Sequence, residues 1–124
     1  MIADIYKIRF ILPNIGESEG ELIRIRGPHL TELINRNLPI NSRGLKREDL
    51  FFIPIDVLYA VEKPTNAGKR GDLIFEPKAK ALIILLAEKK FDTKVANIGS
   101  MTNNLEIYDK LKMSSGVRIE KVIE

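Results

Sequence analysis

The sequence has no cysteine, no tryptophan and a single histidine, His29. These absences remove disulfides, thiolate metal sites, a cysteine nucleophile and a histidine pair for zinc, so no metal and no other cofactor is expected. No apolar run approaches the ~20 residues that a membrane-spanning helix needs. The first residues, Met1-Ile2-Ala3-Asp4, lack the basic and apolar regions of a secretory signal, which makes the cytoplasm the expected location. Aromatic residues make up only 6% of the chain, and no stretch spells out a catalytic constellation.

What remains describes a globular chain, with 44% hydrophobic and 30% charged residues over 124 positions. That length suits a single domain, residues 1–124, able to bury a core without covalent staples. Twenty Lys and Arg against seventeen Asp and Glu leave a net charge of +3. The basic residues are dispersed among acidic ones, whereas a phosphate-binding face needs them clustered, so nucleic acid is an unlikely partner. The many Lys, Arg, Glu and Ile also fit a thermophile-like composition.

The stretch Gly71 to Leu86 organises the chain. A strand enters at Gly71-Asp72, turns at Glu76-Pro77-Lys78, and returns through Leu82 to Ala87, a run with no polar alternate. A strand apolar on both faces must be covered on both. Before it, Ile5 to Leu12 alternates, with Tyr6, Ile8, Phe10 and Leu12 on one side and Lys7 and Arg9 on the other, and Leu22 to Arg26 resumes the pattern to make a hairpin. Gly27-Pro28 opens an amphipathic helix carrying Leu30, Leu33, Ile34 and Leu38 and stopped by Pro39, with His29 on its solvated face.

From Ile40 the expectation is a short strand, a charged loop holding Arg43, Lys46 and Arg47, and a strand at Leu50 to Ile53. Ile55 to Val61 reads as another strand, and Pro64 to Gly71 as a turn-rich loop. Its Ala67-Gly68-Lys69 is not a phosphate loop, because the first glycine and the following hydroxyl are missing. A short strand around Val95-Ala96 and a turn at Asn97-Ile98-Gly99 follow the solvated Glu88-Lys89-Lys90. Thr102 caps a helix with Leu105, Tyr108 and Leu111, and Val117 to Ile123 closes the chain as a strand. About eight short strands with these connections make a mainly β fold, a closed eight-stranded antiparallel β-barrel with two helices covering its mouths.

Two stretches resemble the cyclophilin barrel. Leu105, Glu106, Tyr108, Asp109 and Leu111, followed by Ile119-Glu120-Lys121-Val122, are similar to the closing helix and strand of that family. Gly71, Asp72, Phe75, Pro77, Ala81 and Leu82, with Asn41-x-x-Gly44 and Asn97-Ile98-Gly99, resemble the small prokaryotic cyclophilin-like proteins of uncharacterised function. The resemblance implies a barrel that binds a peptide or small polar ligand without catalysis. Candidate contacts at the expected corners are Asn41, Arg43, Glu76, Lys78 and Asn97.

The alternative is a peptidyl-prolyl isomerase. Isomerases of this fold need an arginine on the strand after the first helix, aimed at the prolyl nitrogen to weaken amide resonance. Leu38 to Asn41 holds none in register, which leaves Arg43 as a displaced catalytic arginine. A third alternative is nucleic-acid binding through Arg43, Lys46, Arg47, Lys69 and Arg70. Oligomeric state is open, with a homodimer through an exposed strand among the options.

Overall fold

The computed structural model describes residues 4–123. Nine strands form one antiparallel sheet: β1 (Ile5–Leu12), β2 (Gly16–Ile23), β3 (Ile40–Arg47), β4 (Leu50–Pro54), β5 (Pro64–Gly68), β6 (Asp72–Glu76), β7 (Ala81–Leu85), β8 (Lys89–Met101) and β9 (Ser114–Lys121). Eight of them close a ring in the order β2-β1-β9-β3-β4-β7-β6-β8, and pairing of β8 with β2, from Gly20 opposite Met101 to Leu22 opposite Gly99, seals it. The expected closed eight-stranded barrel is the observed one, with the ninth strand, β5, standing outside the ring on β8.

The interior follows from period-two alternation. Ile8, Phe10 and Leu12 of β1, Phe51 and Ile53 of β4, Leu73 and Phe75 of β6, Leu82 and Ile84 of β7 and Val117 and Ile119 of β9 all belong to one buried cluster. β2 begins earlier than its apolar residues suggest, because Ser18, Gly20 and Leu22 take the inward positions while Glu17, Glu19 and Glu21 face out. Gly44 is buried on β3 because the Phe51 ring lies directly against it, where any Cβ would collide.

Two helices close the ends. α1 (Pro28–Asn37) sends Leu30 and Ile34 into the interior cluster, and the short α2 (Glu106–Lys110) sends Tyr108. They sit at opposite mouths: Ile107 of α2 packs on Gly16 at the start of β2, while α1 follows the other end of β2 through a single 3-10 turn, Arg24–Arg26. Tyr108 is fully buried, its hydroxyl 2.6 Å from Ser18 Oγ and its ring centroid 5.1 Å from that of Phe51.

The opening prediction about Leu82 to Ala87 holds in detail. Leu82 and Ile84 face the interior, and Ile83 and Leu85 join a second buried cluster with Ile74 and Val95 on the outside of the wall. β5 covers that outer face. A Cβ on Gly68 would stand 2.6 Å from Leu85 Cδ1 and 3.2 Å from Ile74 Cδ1, so only glycine lets the two layers approach this closely.

Several local expectations are corrected. Arg24 to Arg26 is a 3-10 turn and not the end of a strand, and Val95-Ala96 with the expected turn at Asn97-Ile98-Gly99 lies within one long strand, β8. Asn41 to Arg47 is not a charged loop: β3 runs unbroken to Arg47, held by β9 and then β4, and only Glu48-Asp49 turn. Ile55 to Val61 is not a strand, since Asp56 takes a left-handed conformation (φ 53°) that breaks an extended run; the segment crosses as a strap whose Ile55 and Val57 reach the interior cluster. The turn-rich Pro64 to Gly68 is strand β5, because pairing with β8 overrides its local turn preference. Thr102 does not cap α2, which starts at Glu106 behind Leu105.

Candidate functional site

β8 is long enough to serve two structures. One of its edges follows β6, from Ser100 opposite Asp72 to Ala96 opposite Phe75. Its other edge takes β2 at Gly99 to Met101 and then β5, with Ala96 opposite Pro64 and Val95 opposite Thr65. Between these partners the sheet forks. A cavity of about 480 Å³ opens there, lined by Ile25, Arg26, Lys63, Thr65, Lys69, Asp72 and Asn97, a size suited to a small molecule.

The lining residues are delivered by several elements. Asp72 and Asn97 lie on the outer face of the barrel wall, because they alternate with the interior Leu73, Ala96 and Ile98. Ile25 and Arg26 come from the 3-10 turn that follows β2, and Lys63, Thr65 and Lys69 from the strap end, β5 and the β5–β6 connection. The cavity is therefore outside the barrel, beneath the strand added to its wall.

A chain of hydrogen bonds fixes its polar groups. Asp72, only 6% exposed, accepts from the Lys69 backbone N–H and from Asn97 Nδ2, both at 2.9 Å on Oδ2. Asn97 in turn accepts from Arg26 Nη1 at 3.2 Å. The buried carboxylate thus orients the amide, and the amide orients the guanidinium. Lys63 Nζ donates to the Ile25 carbonyl at 2.6 Å, while the Lys69 ammonium has no hydrogen bond or ion pair among the described residues. Ile25 stands beside these charges 71% exposed.

The strap is tied down next to the cavity. The Glu62 carboxylate accepts from the backbone N–H groups of His29 and Leu30 at 3.0 and 2.8 Å, and lies 3.0 Å from His29 Nδ1. It caps α1, whose own N-cap residue, Gly27, has no side chain to do so. Burial works to raise the Glu62 pKa, but the bonds from Leu30 and His29 outweigh it and hold the carboxyl below its ordinary value. His29 is solvated as expected, yet it does have a partner in Glu62.

The sequence-selected residues are dispersed rather than gathered. Asn97 lines the cavity. Asn41 and Arg43 lie on β3, four strands from β8 in either direction around the ring of eight. Asn41 Oδ1 accepts from Arg118 Nη1 at 3.1 Å, and Arg43 Nη2 donates to Ser114 Oγ at 3.0 Å. Glu76 Oε2 accepts from the Ala79 N–H at 2.6 Å within the β6–β7 turn, where Lys78 is exposed.

Other basic residues are committed to α2. Arg70 makes a two-pronged pair with the Asp109 carboxylate at 3.0 and 2.7 Å and also donates to the Leu86 carbonyl, and Lys46 Nζ donates to the Asp109 carbonyl. The Arg70 guanidinium lowers the Asp109 pKa. Sequence reasoning missed Arg26, Lys63 and Asp72 as site residues and named Lys69 only as one of five candidate nucleic-acid contacts, since their convergence depends on the fork. The one available signal was Asp72, a carboxylate heading the apolar run Leu73 to Phe75.

Among the described residues no group of three or more His, Cys, Asp or Glu is placed to hold a metal ion, and no helix is long and apolar enough to cross a membrane. No family model and no curated protein sequence matches the chain. Solved structures do. The hypothetical protein AF2241 from Archaeoglobus fulgidus superposes with a TM-score of 0.81 at 19% identity, over 98% of both chains. McbB in complex with tryptophan superposes with a TM-score of 0.75 at 17% identity, over 94% of this chain and 45% of McbB. At these identities the likeness is one of fold, a barrel shared with proteins of very different sequence.

Proposed function

We propose that the chain is a non-catalytic, cyclophilin-like binding module and that it holds a small polar ligand in the cavity at the β2/β5 fork. The observation that carries this reading is the hydrogen-bonded series Asp72, Asn97, Arg26, which sets a guanidinium beside a concave surface of small-molecule size. Preorganised polar groups at a cavity are what give a small-ligand site its orientation and selectivity. Asn97, chosen from the sequence, is part of that series; Asn41, Arg43, Glu76 and Lys78 are not.

Amino acids are a natural first probe, because McbB, a fold neighbour, was solved with tryptophan. The chain has no tryptophan of its own, so indole fluorescence reports the ligand alone. The test is a titration with amino acids and short peptides against the wild-type protein, Asn97→Ala and Arg26→Ala. A ligand that binds the wild type and is lost in both variants supports the reading. Binding unchanged in both, or abolished instead by Arg43→Ala and Lys78→Ala, overturns it.

The isomerase alternative predicts that a protease-coupled assay on a proline tetrapeptide exceeds the uncatalysed rate. The expected outcome is no acceleration. The Arg43 guanidinium is already hydrogen-bonded to Ser114, and no aromatic side chain lines the fork cavity.

A further inference from the structure

Three cationic side chains, Arg26, Lys63 and Lys69, border the fork cavity, against one carboxylate, Asp72. That carboxylate is buried and its Oδ2 is already occupied by the Lys69 backbone N–H and the Asn97 amide. Asn97 Oδ1 is taken by Arg26. Asp72 Oδ2 and Asn97 Oδ1 are thus engaged within the protein, while most of the cationic donors are not. Arg26 uses one nitrogen on Asn97, although a guanidinium carries five N–H donors, and Lys69 has an ammonium with no hydrogen bond or ion pair among the described residues. A concave surface with cations of one sign and unused donors attracts anions and repels ammonium groups. Ile25, exposed on the same rim, offers an apolar contact beside the charge.

We infer that the ligand is a small organic anion, a carboxylate or phosphate monoester joined to a compact apolar group. Its anionic head meets Arg26 and Lys69, and its apolar part lies on Ile25. The inference rests on the proposed cleft and adds the ligand's chemical class.

The test uses probes that share a phenyl body: phenylphosphate, phenylacetate and phenethylamine, with inorganic phosphate as the head group alone. They are titrated into the full chain at low salt by calorimetry, and the contacted residues are mapped from amide chemical shifts. The expected result is binding of one or both phenyl anions, with phenethylamine at least about tenfold weaker and binding reduced by added salt. Arg26→Gln and Lys69→Gln should each weaken the anions about tenfold, the effect of losing a charge-assisted contact. Preference for phosphate over carboxylate assigns the head group.

If phenethylamine binds as well as the anions and shifts Thr65 and Asn97, the anion assignment fails while the cleft stands. If inorganic phosphate binds as tightly as phenylphosphate, the apolar contact with Ile25 fails. If anions bind but neither Gln variant matters and the shifts fall elsewhere, both the assignment and the cleft fail. Absence of binding by every probe overturns the anion assignment, and the amino-acid titration then judges the cleft on its own. Both substitutions are at exposed positions, and retained thermal unfolding identifies any variant that loses binding through misfolding.

Discussion

The inside of this barrel and the cleft on its outer wall are built from the same strands by alternate residues. Leu73, Phe75, Ala96 and Ile98 face a sealed apolar interior, while Asp72 and Asn97, their neighbours in sequence, face the fork. The interior is filled from seven of the ring strands, with Ile40 of β3 packed against it, and is plugged by Leu30 and Ile34 at one mouth and Tyr108 at the other. The cleft is formed by a strand that does not belong to the ring, and its polar residues are held by hydrogen bonds rather than by packing. One half of the alternation packs the core and the other lines the cleft.

The largest expected effect comes from breaking the interior. Phe51→Ala removes a fully buried ring that packs on Gly44 and Tyr108, and should cost about 3–5 kcal/mol in urea-induced unfolding. A loss below about 1 kcal/mol would mean that the interior is not the close-packed core described. The separation of the two regions is tested next by Gly68→Val. Its side chain would press on Leu85 and Ile74 beneath β5, costing about 1–3 kcal/mol. Because β5 lies outside the ring, the barrel should stay folded while ligand binding is lost; intact binding would detach β5 from the site.

Tyr108→Phe makes the opposite separation. It deletes the hydroxyl partner of Ser18 in the interior, with an expected cost of about 1 kcal/mol and no change in ligand affinity. An altered affinity would show that the two faces of the wall are not independent. Burial raises the Tyr108 phenol pKa, with Ser18 acting the other way, so its ultraviolet titration should lie above that of an exposed tyrosine.

The smallest effect concerns Glu62. A carboxyl held below its ordinary value of 4.5 contributes stability above that pH and loses it as pH falls through the folded-state value. Glu62→Gln should therefore lower stability at neutral pH by about 0.5–1 kcal/mol, the size of a helix cap, and flatten the acid limb of the stability curve. An unchanged acid limb would show that the strap is not anchored through this carboxylate.

The barrel itself was legible in the sequence because its cause is local and repeated. Alternation in Ile5 to Leu12, the two-sided apolar run from Leu82, and the i, i+3, i+4 pattern behind Pro28 each state which face is buried. Closure followed from counting strands and avoiding free edges. The fork was not legible. Pro64-Thr65-Asn66-Ala67-Gly68 has turn composition and becomes a strand only because β8 extends past the ring to meet it. Nor did the sequence separate cations with protein partners from those without. Of the basic residues singled out, Arg43, Lys46, Arg47, Lys69 and Arg70, three are bonded to Ser114 or Asp109, whereas Lys69 lines one cavity with Arg26, a residue distant in sequence.

The central claim is that binding belongs to the outer cleft and not to the barrel's interior or mouths. Amide chemical-shift mapping during titration with a bound amino acid or phenyl anion tests it most directly. The account predicts that the largest shifts fall on Arg26, Thr65, Lys69, Asp72 and Asn97, with Phe10, Phe51 and Ile119 unmoved. Shifts centred instead on the β3/β9 face, at Asn41, Arg43 and Arg118, would contradict it.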